Sequence, residues 1–436
     1  MQKFVILSVD AMVGEDALYL MEKPNFSRLF AKGACAGSVR TVYPSVTYPV
    51  HASIMTGCRP GKTGIYANFR DNLNPPPHPD WHLDRDAIRV ETWFDAAKRA
   101  GLTTASVYWP TTGNDPHIDW EINELFFYEN EDPETLFRAN GANDEAIAVV
   151  KENLPRWPDR TIKGVPVRSC GFDDFIMGCV CSLIRRDKPD LLTAHNCILD
   201  SMRHRYGVFH ENVAAGLDLV DEWLGEVIEA AEDAGTFADT NFIVLSDHGQ
   251  RGYTRKIHLG SLLRRGGFLE LDADGKIASW RARPVSNGLS SYIVLADPKD
   301  EALKKEVADF LAECAQNGEG GFSRVLTAEE LDAQYGLRGN FSFMLETDGE
   351  TYFVRDFAEP LVEQVDLADP GVRRASHGYD PETGAQPVFF ASGPAFRPGA
   401  FVPRIDAIDE APTVVQIMGQ TLPEAEGRVL TELLNL

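Results

Sequence analysis

Short apolar runs alternate with amphipathic stretches over the first 250 residues of the chain. Three of the runs are typical of buried strands and lead directly to aspartate: KFVILSVD (3–10), PDLLTAHNCILD (189–200) and TNFIVLSDHG (240–249). A segment from His210 to Gly235 instead carries apolar residues at helical spacing, with acids between them. Such alternation predicts an α/β fold in which helices cover both faces of a mainly parallel central sheet.

The pattern changes between residues 251 and 375. This stretch is rich in glycine and charge, has hairpin-like turns at DADGK (272–276) and TDGET (347–351), and contains a strand–helix pair, SSYIVLADP and EALKKEVADFLAECA. The core pattern resumes at PVFFASGPAF (387–396) and closes with a helix around APTVVQIMG (411–419). We therefore predict a core built from 1–250 and 376–436, with a smaller α+β subdomain inserted at 251–375.

The charge balance is strongly acidic. Lysine and arginine total 42 against 66 aspartates and glutamates, a formal net charge of −24. This balance disfavours non-specific nucleic-acid binding, which needs a basic surface. It would also repel an anionic substrate, unless bound metal cations reverse the field locally.

The chain shows no signal for a membrane span or for secretion. No run approaches 18 apolar residues, and the apolar run at the N-terminus is short and lacks a small-residue cleavage site. The seven cysteines are scattered and do not form a disulfide framework, and Cys179 and Cys181 form a bare C-x-C better explained by burial than by zinc. These features predict a cytoplasmic protein.

Aspartate and histidine recur where the predicted strands end, which is where functional groups gather in open α/β sheets. Each has an ordinary explanation alone, as a helix cap, a surface i,i+4 pair or a turn residue. Together, carboxylates and imidazoles would form two sites of the kind that zinc prefers. The set comprises Asp10, Asp200, His204, Asp247, His248 and His377.

The loop YPSVTYPVHASIMTG (43–57) offers several hydroxyls, including Ser45 and Thr47. Two divalent ions about 4 Å apart can clamp the attacking and leaving oxygens of a displacement at phosphorus, and they lower the pKa of a coordinated hydroxyl. A serine or threonine beside such ions needs no histidine base. These residues alone do not decide which hydroxyl would react.

Motifs along nearly the whole chain resemble the alkaline phosphatase superfamily, most closely its nucleotide pyrophosphatase/phosphodiesterase branch. They follow the family's order: Asp10, TYPVH (47–51), TGCRP (56–60), Asn68 in GIYANF, the WP pair at 109–110, DSMRHRYG (200–207), SDHG (246–249), HGYD (377–380) and DEAPTVVQIMG (409–419).

The resemblance implies a role for each of these positions. One metal would be held by Asp10, Thr47, Asp247 and His248, and the other by Asp200, His204 and His377, with zinc the expected ion at both sites. Thr47 would be the nucleophile that forms a covalent phosphothreonine. Asn68 would donate to a phosphoryl oxygen, with the backbone N–H of Tyr48 as a second donor. His51 would be structural, with Ser45 and Thr41 as capping or turn hydroxyls.

The sequence also departs from the family pattern. Val50 stands where the family commonly has asparagine. Tyr48, with Tyr108 or Trp109, could stack on a substrate base, or these aromatics could be loop packing. We expect a hydrolase of phosphodiester or pyrophosphate bonds that acts on a small nucleotide-like substrate, as a monomer or a homodimer.

Three alternatives stay open at this point. A phosphomonoesterase or phosphonate hydrolase would use the same two metals, and Arg59, Lys62 and Arg70 near the loop do not exclude it. A metal-binding protein without activity is a second alternative. The third is a sulfatase, because CRPGK (58–62) resembles the C-x-P-x-R of that class, although lysine replaces the final arginine.

Overall fold

The computed structural model describes residues 2–73, 78–126, 132–157 and 172–435. Its strands, in chain order, are β1 Lys3–Val9, β2 Ala34–Ala36, β3 Val39–Arg40, β4 Thr104–Val107, β5 Trp120–Ile122, β6 Leu191–Asn196, β7 Thr240–Leu245, β8 Arg251–Gly252, β9 Arg255–His258, β10 Leu269–Leu271, β11 Ile277–Trp280, β12 Ala282–Ser286, β13 Ser290–Leu295, β14 Phe322–Thr327, β15 Phe343–Thr347, β16 Thr351–Val354, β17 Val362–Gln364, β18 Ala375–Ser376, β19 Phe389–Ser392, β20 Phe401–Val402 and β21 Ile405–Asp406.

The α-helices connect these strands and cover them. In chain order they are α1 Gly14–Leu20, α2 Pro24–Phe30, α3 Thr47–Thr56, α4 Pro60–Thr63, α5 Trp93–Arg99, α6 Pro133–Ala139, α7 Asp144–Asn153, α8 Phe172–Arg186, α9 Ile198–Tyr206, α10 Glu211–Asp233, α11 Leu259–Arg265, α12 Glu301–Asn317, α13 Ala328–Tyr335 and α14 Glu410–Ile417.

The central sheet has the strand order β20-β2-β19-β7-β1-β6-β4-β5. Strands β7, β1, β6, β4 and β5 run parallel, and β19 returns antiparallel beside β7. This topology confirms the predicted α/β fold and the return of the chain to the sheet at PVFFASGPAF. The carboxyl ends of β1, β6 and β7 consequently lie side by side.

Alternate residues of β1 enter two separate cores. Val5, Leu7 and Val9 pack on one face of the sheet, against the apolar sides of α8 and α10. Phe4 and Ile6 pack on the other face, with α3, α5 and α14. Because a strand sends successive side chains to opposite faces, an almost wholly apolar run such as FVILSV is what a strand covered on both sides requires.

Smaller sheets lie between β7 and β19 in the chain. An antiparallel sheet of order β12-β13-β15-β14 packs with α12 around a third core, and β9 lies between β16 and β17. DADGK joins the antiparallel pair β10 and β11 as expected. The expectation for TDGET is wrong: β15 pairs with β13 and β14, whereas β16 pairs with β9, so this turn leads from one sheet to another. The boundaries at 251 and 375 stay a prediction.

Two features bear on the earlier expectations about membranes and cysteines. Within the described ranges, no helix is both long and apolar enough to cross a membrane. Cys179 and Cys181 are buried in α8, where burial raises the pKa of the Cys181 thiol to about 12. Their environment is that of core residues.

Candidate metal centre

Asp10 comes directly after β1, and Asp247 comes two residues after the end of β7; these two strands are adjacent and parallel. Their side chains therefore meet at the same edge of the sheet. His248 Nε2 lies 3.2 Å from Asp247 Oδ2 and 3.6 Å from Asp10 Oδ1, and its other close neighbour is Thr47 Oγ1 at 3.3 Å. The structure thus brings together all four residues of the first predicted group.

The second predicted group is built on α9. Asp200 and His204 are one turn apart, with Asp200 Oδ1 3.3 Å from His204 Nε2, and His377 Nε2 approaches the same oxygen at 3.8 Å. His204 Nδ1 donates to the carbonyl of Ala375 at 2.7 Å. This hydrogen bond fixes the tautomer in which the unprotonated Nε2 faces Asp200, as expected of a metal ligand.

The assignment of Asp200 to the end of a strand is wrong. Strand β6 ends at Asn196, and Asp200 lies in the first turn of α9. The apolar run continues past the strand because Ile198 and Leu199 form the buried face of the helix. The i,i+4 pairing of Asp200 with His204 is nevertheless present.

The two groups are adjacent. The rings of His248 and His377 stack with their centroids 4.1 Å apart and an interplanar angle of 27°. His204 is also next to His377, with a ring-centroid separation of 5.2 Å. The side chains therefore form one continuous floor from Thr47 to His204.

Buried acidic oxygens without partners indicate that the site fits a cation. Within the described residues, Asp10 Oδ1 and Asp247 Oδ2 are buried and accept no hydrogen bond. Burial raises the pKa of Asp10 well above its ordinary value, and the charges of Asp247 and Asp200 raise it further. Unneutralised buried carboxylates are costly, and carboxylate plus imidazole is a donor set suited to divalent ions such as zinc.

The groups within ligand distance of one another are Asp10 with Asp247 and His248, Asp200 with His204 and His377, and Asp10 with His195 and Cys197. Sequence reasoning missed the third group. His195 and Cys197 sit at the end of β6 and just beyond it, beside Asp10, and the same strand-end rule would have found them.

Thr47 is the first residue of α3. His51, one turn later, donates from Nδ1 to the carbonyl of Thr47 at 2.8 Å, and its Nε2 accepts from the Ser8 hydroxyl at 2.8 Å. Burial, with a contribution from neighbouring His195, lowers the pKa of His51 to about 3, so the imidazole is neutral. His51 thus holds the backbone of Thr47 in position, in line with its predicted structural role.

The hydroxyls of Thr41 and Ser45 connect this part of the chain to the candidate metal centre. Thr41 Oγ1 donates to the carbonyl of Asp247 at 2.6 Å. Ser45 Oγ donates to the carbonyl of Tyr379 at 2.8 Å, next to the turn that carries His377. Both act on backbone positions, and neither hydroxyl faces a metal group.

Asn68 lies beside Tyr48, the residue that follows Thr47, and the second predicted donor is already bonded within the protein. The Tyr48 N–H donates to Asn68 Oδ1 at 3.0 Å. This bond orients the amide and leaves Asn68 Nδ2 as its donor toward the cavity. The Tyr48 N–H is used within the protein, so its predicted contact with substrate would require this bond to open.

The prediction that Tyr108 or Trp109 stacks on substrate is wrong. Trp109 is fully buried and contacts Trp93 and His51, and Tyr108 packs against Phe137 and Phe175 in the opposite core. Both residues follow β4 into the two cores, so neither ring can receive a ligand.

Other aromatic residues line the cavity above the centre, which has a volume of about 700 Å³. Trp81 stacks on Phe126 at 4.5 Å, contacts Phe69 at 4.3 Å and meets the Tyr48 ring at 5.1 Å. Tyr48 itself is buried, and its hydroxyl donates to Glu124 Oε2. Phe69, Trp81 and Phe126 come from irregular segments, so no periodic signal in the sequence identifies them.

The sulfatase alternative has no support in the geometry. Cys58 is buried away from the cavity wall, and its Sγ lies 3.1 Å from the carbonyl of Glu424. Burial raises the pKa of its thiol to about 11. Cys58 therefore fills a packing position just beyond the end of α3.

Comparisons with known proteins agree on one family. A family model described as type I phosphodiesterase / nucleotide pyrophosphatase matches residues 4–380. The bis(5'-adenosyl)-triphosphatase ENPP4 of Bos taurus is 22% identical over 431 residues, covering 96% of this chain and 78% of that protein. Venom phosphodiesterase CdcPDE of Crotalus durissus collilineatus is 26% identical over 234 residues, covering 52% of this chain and 23% of its own length.

Solved structures share the fold. Murine ectonucleotide pyrophosphatase / phosphodiesterase 5 aligns over 99% of this chain and 100% of its own, with a TM-score of 0.66 and 20% identity. A second structure shows an inactive threonine-to-alanine variant of that murine protein in complex with AMP, with the same TM-score and identity, covering all of both chains. The chain spans about a quarter of the length of the venom enzyme that it matches.

Proposed function

The chain belongs to the type I phosphodiesterase / nucleotide pyrophosphatase family and is therefore a hydrolase of phosphoric ester or anhydride bonds; we propose that it cleaves phosphodiester or pyrophosphate bonds in small nucleotide-like substrates through a covalent intermediate on Thr47. The proposal includes two divalent cations, with zinc the ion that the ligands favour.

One observation carries the proposal: the Thr47 hydroxyl lies against the first ligand group, through the histidine that adjoins the second group. Its Oγ1 is 3.3 Å from His248 Nε2, and His248 stacks on His377 of the other group. When bound, divalent cations supply charge neutralisation for the aspartates and lower the pKa of a neighbouring hydroxyl.

Thr47 and Asn68 have separate roles in the proposed reaction. Thr47 Oγ1 attacks phosphorus, a Thr47–phosphate ester forms, and the bond to the leaving oxygen breaks. Asn68 Nδ2 donates to a non-bridging oxygen as negative charge develops there. Water then attacks the phosphothreonine, which restores the threonine hydroxyl and releases the phosphate product.

Replacement of Thr47 tests the nucleophile assignment. We expect Thr47→Ala to lower kcat by several orders of magnitude on bis-p-nitrophenyl phosphate, because it removes the hydroxyl that lies beside the first ligand group. Thr47→Ser, which keeps the hydroxyl, should retain measurable turnover. Both proteins should still hold two metal ions per chain by mass spectrometry of the metals. Full activity of Thr47→Ala with intact metal content would refute the covalent mechanism.

The apolar part of the cavity favours a diesterase over the phosphomonoesterase or phosphonate hydrolase alternative. Phe69, Trp81 and Phe126 offer rings for a second substituent on phosphorus. We expect higher kcat/KM on bis-p-nitrophenyl phosphate than on p-nitrophenyl phosphate. A preference for the monoester would shift the proposal to a phosphomonoesterase. A location in the cytoplasm stays a prediction.

A further inference from the structure

The cavity wall carries arginines although the protein as a whole is acidic. With a net charge of −24, the overall field repels an anion approaching from solvent. Within the described ranges, Arg205, Arg355 and Arg373 on the wall form no ion pair with a carboxylate. The guanidinium of Arg205 lies over the Tyr206 ring, 5.3 Å from its centroid. A guanidinium without a carboxylate partner is available to an anionic ligand.

A series of contacts along the floor gives the cavity two ends. Asn68 contacts Tyr48, the neighbour of Thr47; Thr47 contacts His248; and His248 stacks on His377, followed by His204. The aromatic residues lie at the Asn68 end.

Arg205, Arg355 and Arg373 lie at the opposite end. Arg70, which also lines the wall, lies beside Phe69 at the Asn68 end and pairs with Asp80 at 3.6 Å. Arg205 follows His204 in α9. Arg355 follows β16, whose Phe353 N–H donates to the carbonyl of Gly288, and Gly288 lies against the carbonyl of His377. The aromatic end and the cationic end are therefore separated by the metal centre.

Arg374 holds the arginine-bearing segments together. Its backbone N–H donates to the carbonyl of His204 at 2.7 Å, and its Nη1 donates to the carbonyls of Arg205 at 2.8 Å and Val372 at 3.0 Å. The guanidinium of Arg374 is thus committed to backbone carbonyls. It anchors the segment that carries Arg373 against the helix that carries Arg205, which places both residues at one end of the cavity.

A buried donor lies on the same part of the wall. Asn287 is 7% exposed, and within the described residues its Nδ2 has no hydrogen-bond partner. The next residue, Gly288, is the one that lies against His377. An unpaired buried amide donor is unfavourable, and an acceptor on a ligand would remove that cost.

We infer that the cationic end binds a second phosphate, carried by the leaving group of the substrate, through Arg205 and Arg373 with Arg355 and Asn287 beside them. This inference rests on the proposed function, because it takes Thr47 as the point of attack between the two ends. The retained nucleotide then lies at the aromatic end. The second phosphate belongs either to a terminal pyrophosphate or to a second nucleotide.

Two thymidine substrates with the same retained group test the inference. Thymidine 5'-triphosphate releases pyrophosphate, whereas p-nitrophenyl thymidine 5'-phosphate releases nitrophenol. For the double variant Arg205→Gln/Arg373→Gln, we expect the ratio of kcat/KM on the triphosphate to kcat/KM on the nitrophenyl ester to fall about 100-fold, since each charge-assisted contact contributes roughly tenfold. A dithymidine triphosphate shows whether a nucleotide leaving group behaves in the same way.

The matched control is Arg89→Gln/Arg264→Gln, which removes the same charge at two exposed arginines away from the cavity wall. Its substrate ratio should stay within about threefold of wild type, because screening weakens distant charges. An equal fall of the ratio in both double variants would overturn the inference. It would also be overturned if the ratio did not change in Arg205→Gln/Arg373→Gln.

A binding measurement separates this inference from the proposed function. Calorimetry with inorganic pyrophosphate on zinc-loaded Thr47→Ala protein should show at least tenfold weaker binding after Arg205→Gln/Arg373→Gln. If the wild-type enzyme cleaves neither thymidine substrate, the proposed function fails, whereas arginine-dependent pyrophosphate binding still supports the subsite. Equal pyrophosphate affinity with and without the two arginines would refute the subsite.

Discussion

At the residue scale, the position of Thr47, the proposed nucleophile, depends on His51 and Ser8, which do not line the cavity. His51 holds the Thr47 carbonyl and in turn accepts from Ser8 on the central strand β1. Ser8 also receives a hydrogen bond from His195 Nδ1 at 3.1 Å. The first turn of α3 is thereby joined to two strands of the sheet, and a buried bonded network of this kind holds its members in one arrangement.

Asn68 allows its two hydrogen-bonding roles to be tested separately. Its Oδ1 accepts from the Tyr48 N–H, and its Nδ2 is the donor proposed for the phosphoryl oxygen. Asn68→Asp keeps an acceptor for Tyr48 and loses the donor, whereas Asn68→Ala loses both. We expect kcat on bis-p-nitrophenyl phosphate to fall about 100- to 1,000-fold in each variant. Asn68→Asp with the kcat of wild type would show that the amide matters only for orienting Tyr48.

At the scale of elements, one acid of the smaller antiparallel sheet, Glu346, contacts both the segment before Thr47 and the segment after His377. Glu346 on β15 accepts from the Tyr43 hydroxyl, just before the nucleophile, and from the backbone N–H of Asp380, just after His377. Burial raises the pKa of Glu346 from 4.5 to about 7. The folded protein therefore holds a proton there that the unfolded chain has already released.

This shift predicts a pH dependence of stability. Because the folded state binds the proton more tightly, the contribution of Glu346 is complete below pH 4.5 and falls as pH rises to about 7, above which it is lost. The loss amounts to about 3 kcal/mol at roughly 1.4 kcal/mol per pKa unit. Urea unfolding of metal-free protein between pH 4.5 and 8 should show this loss relative to Glu346→Gln. A constant difference between the two proteins over that range would contradict the assignment.

Elements differ in how well the sequence predicts them. Asp10 and Asp247 could be placed together because β1 and β7 are uninterrupted apolar runs and parallel strands align their carboxyl ends. Asp200 was placed on the wrong element because the apolar pattern of β6 continues into the buried face of α9. A short apolar run does not itself mark the change from a strand to a helix.

At the scale of the whole molecule, the walls of the cavity could not be predicted in the same way. Trp81, Phe126 and Arg373 come from loops that lack periodicity, and tertiary packing alone brings them to one cavity. Tyr108 and Trp109 follow a strand, and the sequence made them candidates for substrate binding. In the structure, both are buried in the two cores of the central sheet. Motifs at strand ends thus identify the candidate metal ligands, whereas the residues that line the cavity can be identified only from the structure.

The aspartates buried in the candidate metal centre predict that bound metal ions stabilise the entire fold. A ligand at 100 times its dissociation constant adds about 2.7 kcal/mol, so two ions add about 5 kcal/mol, which corresponds to a rise in Tm of roughly 5 °C for a chain of this length. Scanning calorimetry with zinc and with chelator should show this rise. Asp200→Asn should reduce it by about half, whereas Asp274→Asn in an exposed turn should leave it intact. An equal rise in both variants would show that zinc binds outside these two groups.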